Sequence, residues 1–276
     1  MKDFWDGLAA VVLDMDGVVF IGKRRRRGVN ELLERMVQRG VDYHILTNTS
    51  ASSATEIATK LAAMGVRVEP DRITNASELA AGYVRDRCHA EAVFTLGGGN
   101  GLASALEACG VRQVALESTS LAEAQRLRRE NAAELLPLII GWTSSYDYEL
   151  ATKALALEEL VSRVYVTGVD RSFAVEDGNV PGIGWVGGSI GALLDKEPVN
   201  VGKPNPYALE YALNKLGCEP GHAAIIGDSI SDIQIGNELS CRTVLVLGGT
   251  TPASALDGLD ARFAPGLIIK ELTDLL

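Results

Sequence analysis

"AAVVLDMDGVVF" (residues 9–20) runs an almost unbroken apolar stretch into two aspartates separated by one methionine. Such a continuous run is the pattern of a short strand covered on both faces, as in a parallel sheet. Asp14 and Asp16 stand two positions apart, so an extended chain sends both to the same side. Ionised carboxylates are costly to bury without a partner, and neighbours of like charge repel. Either a cation sits between them, or the strand ends there and both acids lie in water.

Working outward, residues 31–39 carry Leu32, Leu33, Met36 and Val37 at helical spacing, with Gly40 placed to end the helix. "VDYHILTNTS" (41–50) supplies a second strand ending at Thr47, and Ser53 with Glu56 makes a capping-box start for a helix that Gly65 closes. The alternation returns near the C-terminus. Residues 207–216 form an amphipathic helix ending at Gly217, "AAIIGD" (223–228) a strand, 232–239 a helix, and "RTVLVLGG" (242–249) another strand. This predicts an α/β parallel sheet with right-handed crossovers. Its strands end in Asp14, Thr47 and Asp228. In open parallel sheets, ligands bind at the carboxyl ends of strands near the point where strand order reverses, so these ends point to one crevice.

The middle has its own α/β rhythm: "VFTL" (93–96), a helix over 102–108, "LIIGW" (138–142), a helix from Glu149, and "VYVTG" (164–168). That is enough chain for a separate core. The expected organisation is a discontinuous first domain, 1–83 and 187–276, with a smaller α/β domain, 84–186, inserted. "GGGNGL" (97–102) lacks the third glycine of a dinucleotide-binding loop and is read as a tight turn into a helix.

The 276 residues carry 36 acidic against 26 basic side chains, a net charge of −10. That argues against nucleic acid as a partner, whose footprint is a basic face. No apolar run reaches membrane-spanning length. The N-terminal apolar run has acids on both sides, unlike a signal peptide. Cys88, Cys109, Cys218 and Cys241 are scattered and read as reduced thiols, and the expected location is the cytoplasm. His44, His89 and His222 show no metal-ligand spacing. The densest charge, "KRRRR" (23–27), is read as a solvated hairpin or as a lure for anionic substrates.

"GDSISD" (227–232) repeats the logic of the opening stretch, with Asp232 one helical turn beyond Asp228. Four converging carboxylates, Asp14, Asp16, Asp228 and Asp232, call for a divalent cation. Carboxylates with retained water are the usual surroundings of Mg²⁺. "NVGKPNP" (200–206) adds the compact positive charge of Lys203, while Thr47 adds a hydroxyl and Asn48 backbone donors in the following turn. Together with Gly17 of the first loop, these describe a phosphate site.

In order, "DMDGV", "TNTS", "GKP" and "GDSISD" resemble the four motifs of the haloacid dehalogenase superfamily of phosphohydrolases. Only 33 positions separate Asp14 from Thr47, while 156 separate Thr47 from Lys203. An inserted cap therefore lies between the second and third motifs, as in the NagD-like or p-nitrophenylphosphatase-like branch. The resemblance implies a Rossmann-like parallel-sheet core with an α/β cap, and a Mg²⁺-dependent phosphatase acting through an aspartyl phosphate. Asp14 would be the nucleophile and Asp16 the acid and base. Asp14, Asp228 and the Asp16 carbonyl would hold the metal, with Asp232 orienting a metal-bound water, while Thr47 and Lys203 would bind phosphoryl oxygens. The substrate would be a small phosphomonoester: a three-carbon, polyol or sugar phosphate such as glycerol phosphate, dihydroxyacetone phosphate or phosphoglycolate. Nucleotides, pyridoxal phosphate, and a non-enzymatic phospho-aspartate sensor are the alternatives. In the cap, "TGVDRSF" (167–173) aligns loosely with a substrate-contacting segment of the branch and offers Arg171 and Phe173. A homodimer through the cap is the expected assembly.

Overall fold

The computed structural model describes residues 4–130, 135–170, 172–175, 178–256 and 258–276. The chain divides into two compact units, one comprising 1–47, 54–74 and 203–276, the other 48–53 and 75–202.

The first unit is built on a six-stranded sheet in the order Leu267–Ile269, Arg242–Val246, Ala223–Gly227, Ala10–Asp14, Asp42–Thr47, Ile73–Asn75. The pairings along the first five of these strands are parallel. Ala10–Asp14 is buried along its whole length, as its uninterrupted apolar pattern requires. Its Leu13 lies opposite Ile45 on one side and Ile226 on the other. The chain steps away from this central strand in both directions, first towards Asp42–Thr47 and later towards Ala223–Gly227. Its carboxyl end therefore stands at the switch point of strand order, where an open sheet leaves a crevice.

Helices cover the sheet where periodicity placed them. Val29–Arg39 buries Val29, Leu32 and Met36 and ends on Gly40, whose φ of 67° only glycine adopts without cost. Pro206–Leu216 starts with Asn205 accepting from the Tyr207 amide at 3.0 Å and ends on Gly217 at φ 58°. The core of this unit gathers Val11, Leu13, Leu32, Met36, Ile45, Leu61, Ile226 and Val244. Fully burying each such side chain contributes about 1.5–3 kcal/mol.

The second unit carries a five-stranded parallel sheet in the order Val199–Asn200, Val161–Val166, Leu136–Ile140, Ala92–Leu96, Arg112–Ala115. The expected boundaries at 83/84 and 186/187 are corrected here, because both cut helices of this unit. Ala76–Asp86, capped by Asn75 on the Glu78 amide at 2.8 Å, packs Ala80, Ala81 and Val84 against Leu102, Leu106 and Val201. Gly184–Leu193 packs Val186 and Ile190 against Leu138, Ile140 and Val164. Helical spacing in a sequence shows that a face is apolar, not which sheet it covers. Residues 48–53 belong to this unit as well: Ser50 accepts through its hydroxyl from the Trp142 amide at 2.9 Å, and its carbonyl from Ser77 at 2.6 Å.

"GGGNGL" is the tight turn into a helix that its spacing suggested. Gly98 caps Gly99–Ala108 at φ 81°, and a side chain on Gly101 would overlap the Ser50 carbonyl. Among the described residues, no helix is long and apolar enough to cross a membrane.

Candidate active site

The site of the first unit starts where Ala10–Asp14 runs out. Asp14 is buried, its last backbone step lying opposite Leu46, so Thr47 ends the neighbouring strand beside it. The chain then folds sharply: Val19 N–H donates to Met15 O and Gly17 N–H to Phe20 O, both at 2.8 Å. Gly17 adopts φ 84°, and a Cβ there would overlap the Asp228 carboxylate. Its amide is spent inside the loop. Gly17, expected among the phosphate-binding residues, also makes room for Asp228.

Asp228 follows the strand Ala223–Gly227 and is 3 % exposed. The turn after Arg242–Val246 grips it: Thr250 N–H donates to its Oδ2 at 2.6 Å and Thr251 N–H to its carbonyl at 3.0 Å. Gly249 packs so close that a side chain would overlap the same carboxylate. Asp232 lies in the first turn of the helix Ile230–Glu238, within a capping box with Ser229. Ser229 donates its hydroxyl to Asp232 Oδ2 at 2.5 Å.

Lys203 joins the cluster from the start of the last segment. Its Nζ donates to Asp14 Oδ1 at 2.5 Å and to Asp232 Oδ1 at 2.7 Å. Burial alone would lower the Lys203 pKa, but Asp14 and Asp232 outweigh it and hold the ammonium firmly charged. Burial pushes the Asp14 carboxyl well above the usual carboxylate range. Lys203 opposes that rise, and Asp232 and Asp228 add to it.

Asp14, Asp228 and Asp232 each offer an oxygen within 4.8 Å of the others. Lys203 and Ser229 engage both oxygens of Asp232, while Lys203 takes Asp14 Oδ1 and the Thr250 amide takes Asp228 Oδ2. That donor set suits a hard divalent cation taken through one or two carboxylates with retained water. It also makes Asp232 the anchor of Lys203. Asp16 lies outside this group and is an exposed residue, though its carboxyl is partly screened from water by the atoms around it. Desolvation by its surroundings raises its pKa, against Lys60 and Lys203. Lys60 itself lies over the Phe20 ring at 4.3 Å.

The remaining expected residues fall elsewhere. Asn48 belongs to the second unit, where its side-chain amide donates to Asp170 Oδ2 at 3.3 Å. This ties the Asn48 side chain to the "TGVDRSF" segment. Arg171 lies outside the described residues, as does the side chain of Phe173, whose strand Ser172–Val175 pairs with Gly178–Pro181. Sequence reasoning missed Ser229, Gly249 and Thr250. The signal for the last two was present: "GGTT" (248–251) follows a fourth strand that ends on the same edge.

A haloacid dehalogenase-like hydrolase model matches residues 11–112, and a second, HAD-hydrolase-like model matches 200–275, so the two together take in all four motifs. The chain is a haloacid dehalogenase-like hydrolase. The p-nitrophenyl phosphatase from Archaeoglobus fulgidus superposes with a TM-score of 0.81 at 28 % identity, over 97 % of this chain and 98 % of that one. Dihydroxyacetone phosphatase of Corynebacterium glutamicum is 27 % identical over 95 % of this chain and 88 % of its own length. The glycerol phosphate phosphatase of Mycobacterium tuberculosis, solved with magnesium, shares the fold with a TM-score of 0.84 at 23 % identity, over 100 % of this chain and 79 % of that one. NagD from E. coli K-12 also shares the fold, with a TM-score of 0.80 at 23 % identity over 98 % of this chain and 99 % of that one.

Proposed function

We propose that this phosphoric monoester hydrolase uses Mg²⁺ and acts on a small metabolite: a three-carbon, polyol or sugar phosphate such as glycerol phosphate, dihydroxyacetone phosphate or phosphoglycolate. One observation carries the reading. Asp14 is held by Lys203 at 2.5 Å inside a buried acid cluster, with a second carboxylate, that of the exposed residue Asp16, two residues on. The substrate range draws on relatives that are a dihydroxyacetone phosphatase and a phosphoglycolate phosphatase, the latter from Arabidopsis thaliana.

In the first step an Asp14 oxygen forms a bond to phosphorus as the ester P–O bond breaks, and Asp16 gives its proton to the departing alkoxide. In the second, Asp16 takes a proton from the attacking water. The water oxygen bonds to phosphorus as the P–O bond to Asp14 breaks, which restores the Asp14 carboxylate and releases phosphate. Lys203 lies beside the attacking carboxylate, ready to offset charge spreading over the phosphoryl oxygens, and Thr47 adds a hydroxyl at the adjoining strand end. Bound between Asp14 and Asp228, the cation would neutralise the crowded acids and polarise the phosphoryl group. A raised-pKa carboxyl next to the nucleophile favours the enzyme over the phospho-aspartate sensor, which needs a long-lived acyl phosphate. The second unit is assigned the substrate choice made by a cap. Unpaired Cys88, Cys109, Cys218 and Cys241 suit the cytoplasm as its location.

The purified chain is expected to hydrolyse p-nitrophenyl phosphate with Mg²⁺ and to lose that turnover on chelation. A panel of phosphorylated metabolites ranked by kcat/KM then names the substrate. A chain inert towards every ester with Mg²⁺, yet folded, ends the proposal.

A further inference from the structure

The basic run divides its labour. Arg24–Arg25 is exposed and returns antiparallel to Phe20–Ile21, whose Phe20 is buried in the core. Arg27 reaches Glu271 at 3.4 Å with both side chains largely in water, a pairing of little worth. Arg26 turns inward. Its Nη1 donates to Gly17 O, and its Nη2 donates to Leu247 O and, at 3.3 Å, to Lys270 O.

Those carbonyls are informative. Gly17 directly follows Asp16 and packs on the Asp228 carboxylate. Leu247 leads into the turn whose Thr250 and Thr251 amides hold Asp228. Lys270 follows the edge strand Leu267–Ile269. One guanidinium therefore links the loop bearing Asp14 and Asp16 to the turn that fixes Asp228. Burial lowers the Arg26 pKa, and the negative charges of Asp228 and Glu271 oppose that. A planar fork of several donors can span separate carbonyls in this way, whereas the point charge of a lysine cannot.

We propose that Arg26 is a positioning residue that sets the separation of Asp14 from Asp228 and, through it, the affinity of the acid cluster for its divalent cation. The inference rests on the Mg²⁺-dependent reading above. It assigns a task to a residue that touches neither substrate nor cation. Loss of such a support typically costs a site 10–100-fold in metal affinity.

The test compares full-length wild type with Arg26→Ala and Arg26→Lys by calorimetric titration of Mg²⁺ without substrate, alongside thermal midpoints and p-nitrophenyl phosphate kinetics. Mg²⁺ affinity is expected to fall about 10–100-fold in the alanine variant, with little recovery in the lysine variant. KM for the ester at saturating Mg²⁺ is expected to stay within about twofold. A purely structural staple would lower the thermal midpoint and leave the titration of the folded protein unchanged. That result overturns the proposal, as does a lysine variant that binds Mg²⁺ like wild type, which also decides the case if the alanine variant does not fold. An active wild type whose variants titrate like it overturns this inference alone. A wild type that neither binds Mg²⁺ nor turns over the ester overturns the functional reading and this inference with it.

Discussion

Asp14 and Asp232 are alike in burial and partner, yet their replacement should be felt in different measurements. Asp14→Asn keeps the volume and a hydrogen-bond acceptor for Lys203, so the fold should survive while kcat falls by up to about 10⁶-fold, the scale seen when a nucleophile is removed. Asp232→Ala leaves the Lys203 ammonium buried with one partner fewer and should cost about 3–5 kcal/mol in denaturant unfolding. His44 gives a pH signature of its own. It is buried, bonded to Thr74 Oγ1 at 2.9 Å, and desolvation together with Lys215 and Arg72 lowers its pKa to about 3. The unfolded chain takes up a proton near the ordinary histidine value of about 6.5 and the folded chain does not. His44 therefore stabilises fully above that pH, and the contribution drains away as pH falls towards 3. His44→Gln should flatten this acid limb in urea melts taken across that range. Chemistry of this kind was legible in the sequence wherever residue type alone announced it: acids at the mouths of apolar strands, and a lysine before a proline. Arg26 was not legible, because its task lies in which carbonyls its fork reaches.

Glycines at element ends separate two roles that one letter conceals. Gly40 and Gly217 close helices at φ 67° and 58°, with open space where a Cβ would stand. Alanine at either should cost about 1–2 kcal/mol of stability by the left-handed backbone alone and leave kcat unchanged. Gly17→Ala carries the same backbone penalty and also drives a methyl into the Asp228 carboxylate. Its loss should be read in kcat and Mg²⁺ requirement beyond any fall in thermal midpoint. The central strands Ala10–Asp14, Asp42–Thr47 and Ala223–Gly227 and helices such as Val29–Arg39 and Pro206–Leu216 were foreseeable from periodicity. Ala76–Asp86 and the glycine-rich Gly184–Leu193 were not, and only packing reveals the sheet that each covers.

At the scale of the molecule, a cation taken by the acid cluster would couple its binding to folding. The chain carries a net charge of −10, and three of its acids crowd within 4.8 Å. Mg²⁺ at about 100 times its dissociation constant should raise the unfolding free energy by about 2.7 kcal/mol. Differential scanning in Mg²⁺ and in chelator checks this, and Asp228→Asn should abolish the difference.

The central strand also has a history within the cell. Ala10–Asp14 has its partner Asp42–Thr47 early in synthesis, but its other edge faces Ala223–Gly227, more than 200 residues later. At about 5–20 residues per second, a ribosome leaves that apolar edge bare for roughly 10–40 seconds. A polypeptide cut short before that partner emerges would hold an unfinished sheet edge and half an active site. Its hazard would be sticking to its neighbours rather than misplaced catalysis.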